Sequence, residues 1–187
     1  MSLENGILGF LTMKPMSGYD IKKLFDMSAS YFWPADQTQI YRTLKKLVKD
    51  ELIEFVEQRK GETVDKKVYA ITEKGRSVNH KQIQQNDVDD FITRDLFLLQ
   101  LFFSGTLNEE ERLAFLNTQY RNINKLKKML INEYDENYQN FLKATGLAED
   151  DPRLRTVDWT YRWELIKCRE YAKLLEEMIE EVQQTQE

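Results

Sequence analysis

The chain has 187 residues, 41% of them hydrophobic and 32% charged, with a formal net charge of −5 at neutral pH, which excludes a disordered chain and suits one domain or two small ones rich in solvated helix. No apolar run approaches the roughly 18 residues of a membrane span, and no basic segment followed by an apolar core opens the chain, so neither membrane association nor a secretory signal is expected. The single cysteine, Cys168, permits no internal disulfide and agrees with a reducing cytoplasm.

The opening run places Leu3, Ile7, Leu8 and Leu11 near helical spacing and stops at Lys14-Pro15. Ser17 then reads as an N-cap, with Asp20 three residues on as the acid of a capping box. The helix it starts would bury Tyr19 or Ile21 together with Leu24 and Phe25. Tyr31-Phe32-Trp33-Pro34 is an aromatic connection, read as packing rather than as a platform for stacked bases. Asp36 and Gln39 repeat the capping spacing, and Ile40, Leu44 and Leu47 recur at i, i+4, i+7 as one buried stripe. Residues 52–57 and 67–71 are strand-like, and Gly61 between them supplies the turn of a hairpin. Thr72 caps a following helix, and the polar stretch from about Ser77 to Asn86 marks a boundary between residues 1–84 and residues 85–187.

The second part reads as helix throughout. One segment runs from about Asp87 to Phe103, with Phe91, Leu96, Leu99 and Phe103 among its apolar positions. Asn108 and Glu111 announce a long helix in which Leu113, Leu116, Tyr120, Ile123, Leu126, Leu130, Tyr134 and Phe141 step by threes and fours. Gly146 and Asp150-Asp151-Pro152 break it. A last segment, about Leu154 to Gln183, carries Trp159, Trp163, Ile166, Leu174, Met178 and Val182 on one side and would extend about 45 Å. Helices of that length need cover for an apolar seam, from an antiparallel pair within the chain, from a second subunit, or from both.

Catalysis finds little support. His80 stands alone in a polar stretch, Cys168 sits inside an amphipathic helix as packing filler, and neither a phosphate-binding glycine loop nor a zinc spacing occurs. The expectation is a non-enzyme without cofactor or metal. Charge points elsewhere. Residues 1–80 carry 13 Lys/Arg against 11 Asp/Glu, a balance of +2, whereas residues 81–187 carry 14 against 21, a balance of −7. A polyanion would meet the N-terminal part. With Ile40, Leu44 and Leu47 turned inward, positions 37, 38, 41, 42, 45 and 49 face out. Gln37 and Thr38 then lie at the helix end that meets base edges in helix-turn-helix docking. Arg42, Lys45 and Lys46 supply cations for phosphates or guanine, and Tyr41 a hydroxyl and an aromatic face. Arg59, Lys60, Lys66 and Lys67 frame the adjacent hairpin, diluted by Glu57, Glu62 and Asp65.

The ordered series Ile7-Leu8-Gly9-Phe10-Leu11, Met16-Ser17-Gly18-Tyr19-Asp20-Ile21, Tyr31-Phe32-Trp33, Gln39-Ile40-Tyr41 with Leu44 and Leu47, Lys67-Val68-Tyr69 and Ile71-Thr72-Glu73-Lys74-Gly75 resembles the PadR family of transcriptional regulators. Asp95 to Phe103 and the tail with Trp159 and Trp163 resemble its longer, virulence-regulator branch of AphA-like proteins. The resemblance implies a mainly α protein with a small β wing, in which a winged helix-turn-helix domain precedes a C-terminal helical dimerisation domain. By position, Thr38, Gln39 and Tyr41 match the recognition-helix motif, and Lys60, Gly61, Lys66 and Lys67 match the wing. Arg42 departs from the family, many of whose members have proline there, and Glu62-Thr63-Val64-Asp65 lacks the usual wing-tip proline. The subunit interface would draw on the first helix, through Leu3, Ile7 and Leu11, and on the last, through Trp159, Trp163, Ile166, Leu174 and Met178. The implied function is a homodimeric regulator, usually a repressor, on a pseudo-palindromic double-stranded DNA operator. Some family members release DNA when a phenolic or other aromatic compound binds. Trp159 and Trp163 either line such a ligand pocket or pack the core. The competing reading is a helical protein-interaction module whose winged domain no longer binds DNA.

Overall fold

The computed structural model describes residues 3–60, 63–84 and 95–184, and the side chains of residues 57–60 and 63–66 lie outside that description. Two compact units emerge: Met1–Ile92 with Glu136–Glu149, and Thr93–Asp135 with Asp150–Glu187.

In the first unit, helix α1 (Leu3–Leu11) is followed by a two-residue strand β1 (Met16–Ser17), then α2 (Gly18–Ser28) and α3 (Gln37–Lys49). Both expected capping boxes form. The Ser17 hydroxyl accepts from the Asp20 N–H while the Asp20 carboxylate accepts from the Ser17 N–H. Asp36 and Gln39 exchange the same pair of bonds at the start of α3. Each box satisfies N–H groups that a helix start otherwise leaves without partners. Strands β2 (Ile53–Lys60) and β3 (Thr63–Ile71) pair antiparallel from Ile53↔Ile71 to Lys60↔Thr63, with a register shift between Gln58 and Arg59. The sheet order is β1-β3-β2, because Met16 pairs with Tyr69 and Ser17 with Val68. Helix α4 (Glu73–Gln84) starts where the Thr72 hydroxyl accepts from the Gly75 N–H at 3.0 Å.

Ile7, Leu8 and Leu11 of α1, Ile21 and Leu24 of α2, Ile40, Leu44 and Leu47 of α3 and Ile53 of β2 form the core, with Phe10 meeting Phe25 edge to face. Of the two residues offered for the buried face of α2, Ile21 is inside and Tyr19 is exposed. In the aromatic connection, Tyr31 meets Phe32 edge to face, and Phe32 and Trp33 remain partly exposed.

The second unit begins with α5 (Leu96–Phe103), capped by Asp95. This helix is shorter than the segment expected from about Asp87; the part up to 94, Phe91 included, lies outside the described residues. A 3-10 turn (Ser104–Thr106) leads to α6 (Glu109–Thr145), where Asn108 and Glu111 form the third expected reciprocal cap. Helix α6 runs on into the first unit and ends at Gly146, whose φ of +70° suits a left-handed stop. Helix α7 (Pro152–Gln184) has proline at its first position, where a missing N–H costs nothing. Within the second unit α6 and α7 run antiparallel. Tyr134 stacks on Tyr161 and donates to Asp158 at 2.9 Å, and Tyr120 donates to Glu176. Leu116 and Leu130 on α6 and Leu154, Cys168, Ala172 and Leu175 on α7 are buried there. Among the described residues no helix is long and apolar enough to cross a membrane.

Candidate nucleic-acid interface

Helix α3 separates its two faces sharply. Ile40, Leu44 and Leu47 are 0% exposed, so the helix cannot rotate without taking all three out of the core. That fixes Gln37, Thr38, Tyr41, Arg42 and Lys45 on the outer side, where they line an open concavity of about 510 Å³. Gln37 and Thr38 occupy the first turn, where N–H groups and the helix dipole favour an anion. Among the described residues no ion pair engages Arg42 or Lys45, so both guanidinium and ammonium remain available to phosphate or to base edges.

Two expected members of the set have other engagements. The Gln39 amide oxygen accepts from the Asp36 N–H at 3.2 Å, which ties that side chain to the cap. Lys46 donates to Glu4 of α1 at 2.5 Å. The hydrogen bond to Glu4, and then the Glu4 charge, raise the Lys46 ammonium above its ordinary value. Tyr41 is 38% exposed, and its ring lies against the bare Cα of Gly18 at the start of α2. Burial, and then the nearby Tyr41 phenol, push the Tyr69 hydroxyl upward as well. On the sheet, Phe55 meets Tyr69 edge to face, and the exposed Lys67 brings its Nζ within 6.0 Å of the Phe55 ring centre. Lys60, Gly61 and Lys66, the other expected wing residues, lie outside the described residues or side chains.

The expected subunit-interface residues divide. Trp159, Trp163, Ile166 and Leu174 are exposed along α7, with Trp159 at 57% and Trp163 at 69%, and Met178 is half-buried. The tryptophans lie outside the core, because Leu154, Cys168, Ala172 and Leu175 take the inner side of α7. Ile7 and Leu11 are 0% and 1% exposed. The chain's own core already encloses them, so they offer a partner no surface; Leu3 is half-buried. None of the eight residues of α5, Leu-Phe-Leu-Leu-Gln-Leu-Phe-Phe, is buried. The second unit also holds a cleft of about 360 Å³, with Phe97, Ile123, Leu126 and Leu175 as apolar walls and Asn122, Lys167 and Tyr171 as polar ones. Among the described residues no cluster of His, Cys, Asp or Glu could hold a metal ion.

Comparison with known proteins fits this geometry. The transcriptional regulator PadR-like family matches residues 7–81. A probable transcriptional regulator of Mycobacterium tuberculosis is 31% identical over 145 residues, 67% of this chain and 76% of that protein. The chain belongs to the PadR-like family of transcriptional regulators. The negative transcriptional regulator PadR of Bacillus subtilis is 33% identical over 109 residues, so the matched stretch spans 58% of this chain and 60% of that protein's length. The crystal structure of the Bacillus subtilis protein with operator DNA superposes with a TM-score of 0.78 at 24% identity, covering 96% of this chain and 98% of that one. Its complex with p-coumaric acid gives a TM-score of 0.77 at 24% identity, covering 97% and 98%. The virulence activator AphA of Vibrio cholerae gives 0.74 at 26% identity, covering 98% and 99%. The mainly helical PadR-like fold with a small antiparallel wing is therefore the architecture of this chain, and the resemblance to the AphA-like branch is in keeping with these matches.

Two residues that touch α3 from neighbouring helices gain significance only in three dimensions. Glu4 has no local sequence relation to Lys46, 42 residues away. Gly18 reads in the sequence as an ordinary helix start, although glycine at a helical position is a signal of close approach.

Proposed function

We propose that this chain is a homodimeric, sequence-specific DNA-binding regulator that represses promoters in the cytoplasm and catalyses no reaction. Residues 1–84 supply the DNA contacts and residues 85–187 the subunit contacts. One observation carries the reading: the outer face of α3 gathers Gln37, Thr38, Tyr41, Arg42 and Lys45 around one concavity while its inner face is locked in the core. Two such helices in a dimer would stand about 34 Å apart and read a pseudo-palindrome, each good bidentate base contact adding about 1–3 kcal/mol of discrimination. Lys60, Gly61, Lys66 and Lys67 extend the contact through the wing, with Gln39 and Lys46 at the edge of the helix, held by Asp36 and Glu4. Support comes also from the Bacillus subtilis relative crystallised with operator DNA.

The test is a gel shift on the chain's own upstream promoter with excess unrelated DNA, repeated with Tyr41→Ala and Lys45→Ala. A competitor-resistant shift weakened by both variants without loss of the dimer is expected. Unchanged shifts for both would reject α3 as the reader. The competing reading is a protein-interaction module with a silent winged domain. It draws on the small positive excess of residues 1–80 and on the engagement of Lys46 by Glu4. Salt separates the two, since DNA binding should fall with a log–log slope of about −0.9 per phosphate neutralised.

The cleft walled by Phe97, Ile123 and Leu126 supports a further element, release of DNA by a small aromatic acid. Its size suits one aromatic ring with a short substituent, and the Bacillus subtilis relative was crystallised with p-coumaric acid. Calorimetric titration of p-coumaric acid into the wild-type chain and into Leu126→Trp checks it. Saturable heat lost in the variant is expected; equal heats, or none, would reject the cleft as the effector site.

A further inference from the structure

We infer that Gly18 is a positioning residue for DNA recognition, setting the tilt of the Tyr41 ring on the reading face of α3; this rests on the DNA-binding function proposed above. A Cβ built on Gly18 would stand 2.7 Å from Cε1 and 2.9 Å from Cζ of Tyr41, and 3.1 Å from Cδ1 of Leu44. The first two distances are closer than real side chains come. Gly18 is helical, and among the described glycines only Gly146 has a positive φ, so the backbone here asks nothing that alanine could not provide. Glycine weakens a helix relative to alanine, so its presence at the start of α2 requires a reason in space. That reason is the ring.

Leu44 below cannot yield, because it is fully buried, whereas Tyr41 is partly exposed and opens onto the concavity shared with Gln37, Thr38, Arg42 and Lys45. Any side chain at position 18 therefore displaces the phenol outward. Its hydroxyl and aromatic face would then meet DNA at a different height and angle. Gly18 touches no base itself; it acts through Tyr41.

A double-mutant cycle tests this, with Gly18→Ala, Tyr41→Ala and the double variant measured on duplex DNA that the wild-type chain selects from a random-sequence pool. Binding to a panel carrying each single base-pair change in that duplex gives the preference profile. Gly18→Ala should weaken the selected duplex about tenfold and redistribute the preference at the base pairs that Tyr41→Ala also affects. In the Tyr41→Ala background the glycine substitution should change affinity less than about twofold. Equal losses from Gly18→Ala in both backgrounds, or a uniform loss with the profile unchanged, would overturn the inference. If Gly18→Ala alone fails to fold, the double variant should fold, since removing the ring removes the two shortest approaches and leaves only the 3.1 Å one to Leu44; failure of both overturns it. A pool from which the wild type selects nothing would reject the DNA-binding function and this inference with it.

Discussion

Glu4 of α1 holds the ammonium of Lys46 on α3, with Oε1 and Nζ 2.5 Å apart. Helix α3 thus presents fewer free cations than its sequence carries. Both partners are solvent-accessible, so the pair contributes little to stability. Its effect falls on binding. Glu4→Gln should release Lys46 for phosphate, tighten DNA binding at low salt and steepen the log–log salt dependence by about 0.9. Lys46→Ala in the wild-type background should leave the slope nearly unchanged. Filter-binding titrations across a salt series give both numbers, and an unaltered slope for Glu4→Gln would show that Lys46 reaches DNA despite the pair.

Gly75 is confined more tightly than any other described glycine. A Cβ there would lie 2.0 Å from the carbonyl oxygen of Leu52, which already accepts from the Thr72 N–H. Gly75→Ala must push α4 away from the turn before β2 and should cost about 3 kcal/mol, the upper end for overpacking. Gly146→Ala, uncrowded but at φ +70°, should cost about 1 kcal/mol. Urea unfolding of the two variants gives the order. A Gly75→Ala loss no larger than that of Gly146→Ala would show that the turn gives way.

Much of this fold was legible because its signals are local. Three caps, Ser17 with Asp20, Asp36 with Gln39 and Asn108 with Glu111, lie within one turn and formed as their spacing predicts. The stripe Ile40, Leu44, Leu47 likewise determined which side chains of α3 face out. Strand β1 was not legible, since two residues become a strand only through Tyr69 and Val68 far along the chain. Periodicity shows that a face is covered but not by what. Ile7 and Leu11, expected at a subunit interface, are therefore core, whereas Trp159 and Trp163, expected at that interface and offered also for a core or pocket, are exposed. Charge counting could not see that Lys46 is engaged, because Glu4 reaches it only after α1 and α3 pack.

Asp151 and Arg153 brace the first turn of α7. The carboxylate accepts from the Arg153 backbone N–H at 2.9 Å and from its Nε and Nη2 at 2.8 and 2.6 Å. These bonds hold the Asp151 carboxyl at about 2, below its ordinary 3.8. A carboxyl depressed in the folded state stabilises above its unfolded value, and that contribution fades as pH falls through the folded one. The brace should therefore be complete above about pH 4 and lost near pH 2. Melting curves of wild type and Asp151→Asn should differ slightly at neutral pH and converge on acidification; a difference constant with pH would contradict this.

The exposed apolar residues of α5 and α7 bear on assembly. Leu96, Leu99, Phe102 and Phe103 on one helix and Trp159, Trp163 and Ile166 on the other face solvent in a single chain. Patches of this kind mark interaction surfaces. In the proposed homodimer, Trp163→Glu should weaken self-association by tenfold or more, about 1.4 kcal/mol. Sedimentation velocity across a concentration series measures it. A wild-type chain that stays monomeric at tens of micromolar would reject the dimer, and a variant that associates as well as wild type would remove Trp163 from its interface.

Because the first unit takes in Glu136–Glu149 as well as Met1–Ile92, its sequence is interrupted by the other unit. Phe141, among the largest fully buried side chains of the chain, belongs to that returning segment. A growing polypeptide can therefore make α1 to α4 and the sheet early, yet cannot complete that unit until most of α6 has left the ribosome. Nascent chains would pass through a long interval with α3 made but the returning segment still to come. Fragments cut after residue 84 would lack that segment altogether.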